Sequence, residues 1–195
     1  MVRSALSPRR IAGIATLSVA VLAFDYLIAS TYSSRLTSWD PTNPRVTLAD
    51  IEQVVAAKFP VPEITAPELT AALADPGTVV FDVREADEHA QSHIPGARRV
   101  SPSLSGDAFF ETYGAEIAGK RVVVYCSVGV RSGILAQRIA AATKQASSVV
   151  NLRGGIFRWH ATGGRLAAPQ STAPVELHPY DANWGQLLSR TLDKS

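Results

Sequence analysis

The sequence predicts an α/β fold built on a central parallel sheet flanked by helices. Three observations carry this. An apolar run, Val122 to Tyr125, opens directly into the small-residue loop Cys126-Ser127-Val128-Gly129-Val130-Arg131-Ser132-Gly133, and an apolar-periodic segment, Ile134 to Ala142, leads away. This is a strand, a loop and a helix start. Thr78 to Val83 is apolar on both faces, as in a strand covered on both sides. Strands then alternate with helices over about a hundred residues, the pattern of parallel crossover units.

The elements follow in order. Ile11 to Ser30 is apolar or small except for Asp25, and it follows Arg3, Arg9 and Arg10. Twenty helical residues span roughly 30 Å, the thickness of a bilayer core. Residues 1–30 therefore read as an N-terminal transmembrane helix or signal sequence. The large residues in Leu27-Ile28-Ala29-Ser30 make a poor cleavage site and favour a retained anchor. The arginines place the N-terminus in the cytoplasm and the body outside it, periplasmic or extracytoplasmic. The alternative is secretion after cleavage. Residues 31–63 read as a tether, with Asp40-Pro41 and Asn43-Pro44, and a short amphipathic helix. Thr47 and Asp50 form a capping box, Leu48, Ile51, Val54, Val55 and Phe59 share a face, and Pro60 and Pro62 end it.

The main domain is expected over residues 64–167. Thr65 caps a helix reaching Leu73, closed by Asp75-Pro76-Gly77. After the Thr78–Val83 strand come a polar helix, Glu85–Gln91, a His93-Ile94-Pro95-Gly96 turn and a short strand, Ala97–Val100. A helix over Asp107–Ile117 precedes the Arg121–Tyr125 strand, and a helix over Arg131–Ala142 follows it. Ser148–Leu152 is a further strand, broken by Gly154-Gly155 before a last helix, Ile156–Ala161. Residues 168–195 form an irregular tail marked by Pro169, Pro174 and Pro179, with Tyr180, Trp184, Leu187 and Leu188 pinning it to a surface.

Arg3, Arg9 and Arg10 against Asp25 account for the whole net charge of +2. The body is balanced and carries no basic excess for nucleic acid. The single cysteine, Cys126, excludes an intramolecular disulfide, a cysteine-rich zinc site and internal dithiol redox chemistry. Its position at a strand end, facing a helix start and a loop of N–H groups, favours thiolate over thiol. A thiolate there is a nucleophile, and the N–H groups of Ser127, Val128, Gly129, Val130, Arg131 and Ser132 form a nest for a bound anion. Arg131, the loop's only charge, can attract an oxyanion or pair with a nearby carboxylate.

Four motifs stand in a fixed order: Val80-Phe81-Asp82-Val83-Arg84; Glu88 followed by His93-Ile94-Pro95-Gly96-Ala97; the Cys126–Ser132 loop; and Asn151-Leu152-Arg153-Gly154-Gly155-Ile156 with Trp159. In these the chain resembles the rhodanese family of sulfurtransferases. Ser92 stands where the family usually has glycine, His89 where it usually has an aromatic residue, and Ser127 and Val128 where thiosulfate-handling members often carry basic residues. The resemblance implies a rhodanese-like domain in which Cys126 takes sulfane sulfur from a small donor anion such as thiosulfate. It holds the sulfur as a persulfide and passes it to a thiol, to cyanide or to a protein acceptor. No metal or organic cofactor is required.

Two other readings compete. One is a non-catalytic rhodanese-type module that binds a partner or delivers sulfur within a complex. The other is a cysteine phosphatase, whose loop is similar but has one residue more between cysteine and arginine than the four found here. The shorter loop suits a single sulfur better than a tetrahedral phosphate, and Tyr125 replaces the histidine that usually precedes a phosphatase cysteine. Asp82, Arg84 and Glu88 are expected to support the loops structurally, with Arg84 and Glu88 one helical turn apart as a candidate pair. His93 is expected to bond the turn backbone and Trp159 to sit in the core. Arg98 and Arg99 could draw donors or be solvated. His178, Tyr180 and Trp184 belong to tail docking or a partner site.

Overall fold

The computed structural model describes residues 39–142, 149–168 and 175–193. The expected membrane segment, residues 11–30, lies outside the described residues, as do Ser148, Pro169 and Pro174. Among the described residues no helix is long and apolar enough to cross a membrane.

The sheet contains β1 (Glu63–Ile64), β2 (Thr78–Asp82), β3 (Arg98–Arg99), β4 (Arg121–Tyr125) and β5 (Val149–Leu152). Its order is β1-β5-β4-β2-β3, and every neighbouring pair runs parallel. Around it stand α1 (Leu48–Lys58), α2 (Ala66–Ala72), α3 (Ala86–Gln91), α4 (Gly106–Ile117), α5 (Val130–Ala142), α6 (Gly155–Ala161) and α7 (Ala182–Leu192). The strands alternate their side chains between two cores. Val80, Val123, Tyr125 and Leu152 pack with α1, α2, α6 and α7. Phe81, Val122, Val124 and Val149 pack with α4 and α5 on the other face. Both faces are covered, which is why β2 and β4 read as continuous apolar runs.

Topology explains where chemistry can sit. β2 connects through α3 to β3 on one side, and β4 connects through α5 to β5 on the other. The connections leave these two neighbours in opposite directions and open a crevice at their carboxyl ends. Register places Asp82, the last residue of β2, opposite Tyr125, the last residue of β4. Cys126 is the next residue.

Helix starts follow the capping rules. The Thr47 side chain accepts from the Asp50 N–H while Asp50 accepts from the Thr47 N–H, and Thr65 and Glu68 do the same for α2. The structure differs from the sequence reading in three elements. β1 was not expected; it is a two-residue edge strand whose pairing with β5 is long-range, with Asn151 N–H donating to Pro62 C=O and Arg153 N–H to Ile64 C=O. The strand expected over Ala97–Val100 is only Arg98–Arg99. The tail is not irregular throughout, because Asp181 caps the eleven-residue helix α7. Leu187 and Leu188 do pin it, being buried in the same core as Val46, Leu48, Ile51 and Val55. Each such leucine contributes about 1.5–3 kcal/mol. Tyr180 does not join that core and remains 47% exposed.

Candidate active site

Cys126 is 1% exposed at the carboxyl end of β4, and the Gly129 N–H donates to its Sγ at 3.2 Å. Gly129 turns the loop with φ +101°, a left-handed conformation that glycine adopts without steric penalty. Its carbonyl accepts from Asn151 Nδ2 at 3.0 Å, which ties the loop to β5. The loop is held from behind by the start of α6. Ile156 N–H donates to Cys126 C=O at 2.9 Å, and Phe157 N–H donates to Ser127 C=O at 3.1 Å. With those carbonyls engaged on the outer side, the Gly129 N–H is free to face the sulfur. Gly155 makes this approach possible: φ is +56°, and a Cβ there would stand 2.3 Å from the Cys126 carbonyl oxygen. The sequence marks this glycine pair as a strand breaker and as part of the fourth motif, but not as the point where α6 meets the loop.

Ser127 and Val128 are buried, Val130 and Arg131 partly buried, and Ser132 wholly buried with its hydroxyl unpartnered among the described residues. Ser127 Oγ donates to Glu88 Oε1 at 3.2 Å and accepts from Arg131 Nη2 at 2.9 Å. Arg131 makes a forked contact with Glu88, Nη1 to Oε2 at 2.6 Å and Nη2 to Oε1 at 2.9 Å. Glu88 Oε2 also accepts from the Glu85 N–H at 3.0 Å, at the start of α3. Every oxygen of this nearly buried carboxylate is therefore engaged. Burial raises the Glu88 carboxyl, but Arg131 and the Glu85 N–H outweigh it and hold it below its ordinary value. Burial likewise lowers Arg131, yet Glu88 and the nearby Cys126 sulfur hold its guanidinium above the usual range.

This corrects the expected Arg84–Glu88 pair. Arg84 is fully buried and locked onto Asp82, Nε to Oδ1 at 2.9 Å and Nη2 to Oδ2 at 2.6 Å, and it also donates to the Ser92 carbonyl. Its Nε and Nη2 are engaged by β2 and by the turn after α3, its Nη1 has no hydrogen-bond partner among the described residues, and Glu88 takes Arg131 instead. Burial lowers the Arg84 guanidinium, but the Asp82 carboxylate more than compensates. Asp82 and Arg84 are thus tied to the turn after α3, and Glu88 to the loop cation.

Tyr125 carries a role that the sequence did not disclose. Its hydroxyl donates to Asp82 Oδ2 at 2.8 Å and accepts from the buried Ile94 N–H at 3.1 Å. It joins the residue before Cys126 to both β2 and the 93–96 turn. Burial and the Asp82 charge push its phenol well above the ordinary range.

The outer residues are settled by their partners. Arg98 pairs with Glu116, and Arg99 lies 3.7 Å from Glu85 while donating to the Arg84 carbonyl. His93 Nδ1 contacts the His89 carbonyl at 2.9 Å and its ring stacks on His89 at 4.1 Å, so the histidine at the family's aromatic position still serves as a flat partner. Trp159 is in the core, its Nε1–H donating to the Arg165 carbonyl. Among the described residues no group of three or more His, Cys, Asp or Glu stands together to hold a metal ion.

The family profile described as Rhodanese-like domain matches residues 65–162, half of the chain. Among solved structures, thiosulfate sulfurtransferase from Pseudomonas aeruginosa is 24% identical with a TM-score of 0.51, covering 78% of this chain and 27% of that one. As-Sb reductase from Leishmania major is 21% identical with a TM-score of 0.50, covering 58% of this chain and 90% of that one. No curated protein matches the chain. The two structural likenesses are likenesses of fold, whereas the profile spans all four motifs, from Asp82 through the cysteine loop to Trp159: the chain belongs to the rhodanese-like domain family.

Proposed function

We propose that the protein is a sulfurtransferase that carries sulfane sulfur as a persulfide on Cys126. The observation that supports this most directly is the loop itself: a buried cysteine whose Sγ accepts from the Gly129 N–H, separated by four residues from an arginine whose charge stands beside it. The Cys126 thiolate attacks the outer sulfur of a donor such as thiosulfate. An S–S bond forms to the cysteine, the donor's own S–S bond breaks, and sulfite leaves with the electron pair. A thiolate or cyanide then attacks the terminal sulfur, and Cys126 departs as thiolate. The N–H groups and Arg131 stabilise the anionic sulfur in both steps.

A phosphatase is less well supported. Arg131 already donates to Glu88 and Ser127 instead of standing open to clamp phosphoryl oxygens. We further propose attachment to the membrane through residues 11–30 with the domain outside the cytoplasm; protease access in spheroplasts tests this, and a body protected by the membrane would contradict it.

The decisive experiment for the chemistry is intact-mass measurement after thiosulfate or inorganic polysulfide, with Cys126→Ser as control. One added sulfur atom on the native chain and none on the variant is expected. No added sulfur with either donor would sink the reading. Cys126-dependent hydrolysis of a phosphoryl ester would favour the phosphatase.

A further inference from the structure

The segment over 175–193 lies outside the family match, yet it reaches the cysteine loop. Leu177 is buried in the core, and the His178 N–H donates to Ser92 Oγ at 3.2 Å, in the turn that Arg84 holds. Two residues on, Tyr180 places its ring 4.7 Å from the Arg131 guanidinium carbon. That is cation–π distance.

The backbone is bent to put the ring there. Tyr180 has φ +74°, the only positive φ of a non-glycine residue among the described residues. A left-handed tyrosine is disfavoured and persists only where its surroundings enforce it. His178 Nδ1 accepts from the Tyr180 N–H at 3.0 Å, and Asp181 caps α7 immediately after. Burial does not explain the placement, since Tyr180 is nearly half exposed.

What the ring covers matters because of what surrounds it. Cys126, Ser127, Val128 and Gly129 are buried, and two edges of Arg131 are engaged by Glu88 and Ser127. The guanidinium face is the surface of the loop's only charge, and Tyr180 lies across it.

We propose that Tyr180 is a specificity-determining residue that selects the sulfur donor. A donor with an oxyanion head, such as thiosulfate, must displace the ring to reach the Arg131 face. A donor whose sulfur chain carries no such head, a hydropersulfide or inorganic polysulfide, reaches Cys126 without that displacement. The site is therefore tuned toward persulfide-type donors and away from thiosulfate. This rests on the sulfurtransferase reading above.

Two variants of the full chain test it. Tyr180→Gly removes the ring and suits the left-handed backbone; Tyr180→Phe keeps the ring. Sulfur transfer to cyanide is measured with thiosulfate and with inorganic tetrasulfide. Tyr180→Gly should raise kcat/KM for thiosulfate roughly two- to fivefold through KM, the scale of one cation–π contact. Tetrasulfide should change little, and Tyr180→Phe should match the native chain. Equal changes for both donors, or no gain with thiosulfate, would overturn the proposal. If neither donor transfers sulfur, the sulfurtransferase reading has failed, and Cys126 alkylation still decides the role of the ring. The iodoacetate-to-iodoacetamide rate ratio should rise by a similar factor in Tyr180→Gly, and an unchanged ratio would refute an anion-screening ring.

Discussion

Glu88 and Arg131, 43 residues apart in the chain, meet in a two-pronged ion pair with contacts of 2.6 and 2.9 Å at the mouth of the cysteine loop. The pair crosses from α3, which follows β2, to α5, which follows β4. It therefore bridges the two strands whose connections diverge, and it fixes the one charged side chain of the loop in a single direction. The loop's cation is balanced inside the fold.

Replacing Glu88 by Gln should cost about 1–3 kcal/mol in urea unfolding at neutral pH, less than a fully buried pair because 21% of the Arg131 side chain remains exposed. The folded-state carboxyl of Glu88 is depressed, so its contribution is complete above the ordinary carboxylate value and is lost as pH falls through the lower folded value. The gap between native and Glu88→Gln stability should be flat above about pH 5 and narrow below about pH 4. A gap that instead narrows between pH 5 and 8 would assign the effect to another group.

Tyr125→Phe keeps the ring in the core but removes the hydroxyl shared by Asp82 and the Ile94 N–H. Both lose a partner in a place closed to water. Unfolding should become easier by about 1–3 kcal/mol. Iodoacetamide should still modify Cys126, since the loop hydrogen bonds do not pass through the hydroxyl. A stability change under about 0.3 kcal/mol would mean that the hydroxyl does not hold strand and turn together.

Gly155→Ala sets a Cβ against the carbonyl oxygens of Cys126 and Ser127, at 2.3 and 2.6 Å, on a backbone with φ +56°. Clash and left-handed strain together should cost about 3 kcal/mol or more, with loss of the Gly129-to-sulfur contact seen as altered Cys126 alkylation. Gly163→Ala is the matched control, with φ +81° and no atom within 4 Å of the added carbon. It should cost only the backbone strain, about 1–2 kcal/mol. Equal costs at the two sites would show that α6 does not press on the loop.

What was readable from the sequence was what local physics encodes. Thr47 with Asp50, and Thr65 by itself, announced two helix starts, and the two-sided apolar runs announced β2 and β4. Cys126 was identifiable because a strand end, small residues and a helix start are all local signals. The hidden features are pairings across the fold. β1 is two residues long and exists only because β5 lies beside it. The partner of Arg131 could not be read from either residue's neighbours, and one-turn spacing suggested Arg84 for Glu88 until burial of Arg84 on Asp82 removed it. The Tyr125 hydroxyl becomes meaningful only once register sets Tyr125 opposite Asp82. For α7 a signal was present, with Asp181 as cap and Trp184, Leu187 and Leu188 at helical spacing, but the prolines before it masked it.

Arg190, near the end of α7, donates to the carbonyls of Pro41, Asn43 and Val46. One guanidinium thereby staples the strand of chain entering the domain to the helix leaving it, and both flanks lie outside residues 65–162. The unit that folds is accordingly larger than the unit that is shared by descent. A chain trimmed to the family boundaries would uncover the apolar surface that Leu48, Ile51, Leu187 and Leu188 now close. It would also discard the tyrosine that stands over the loop cation, so the reactivity of Cys126 in it would report on a different, more open loop.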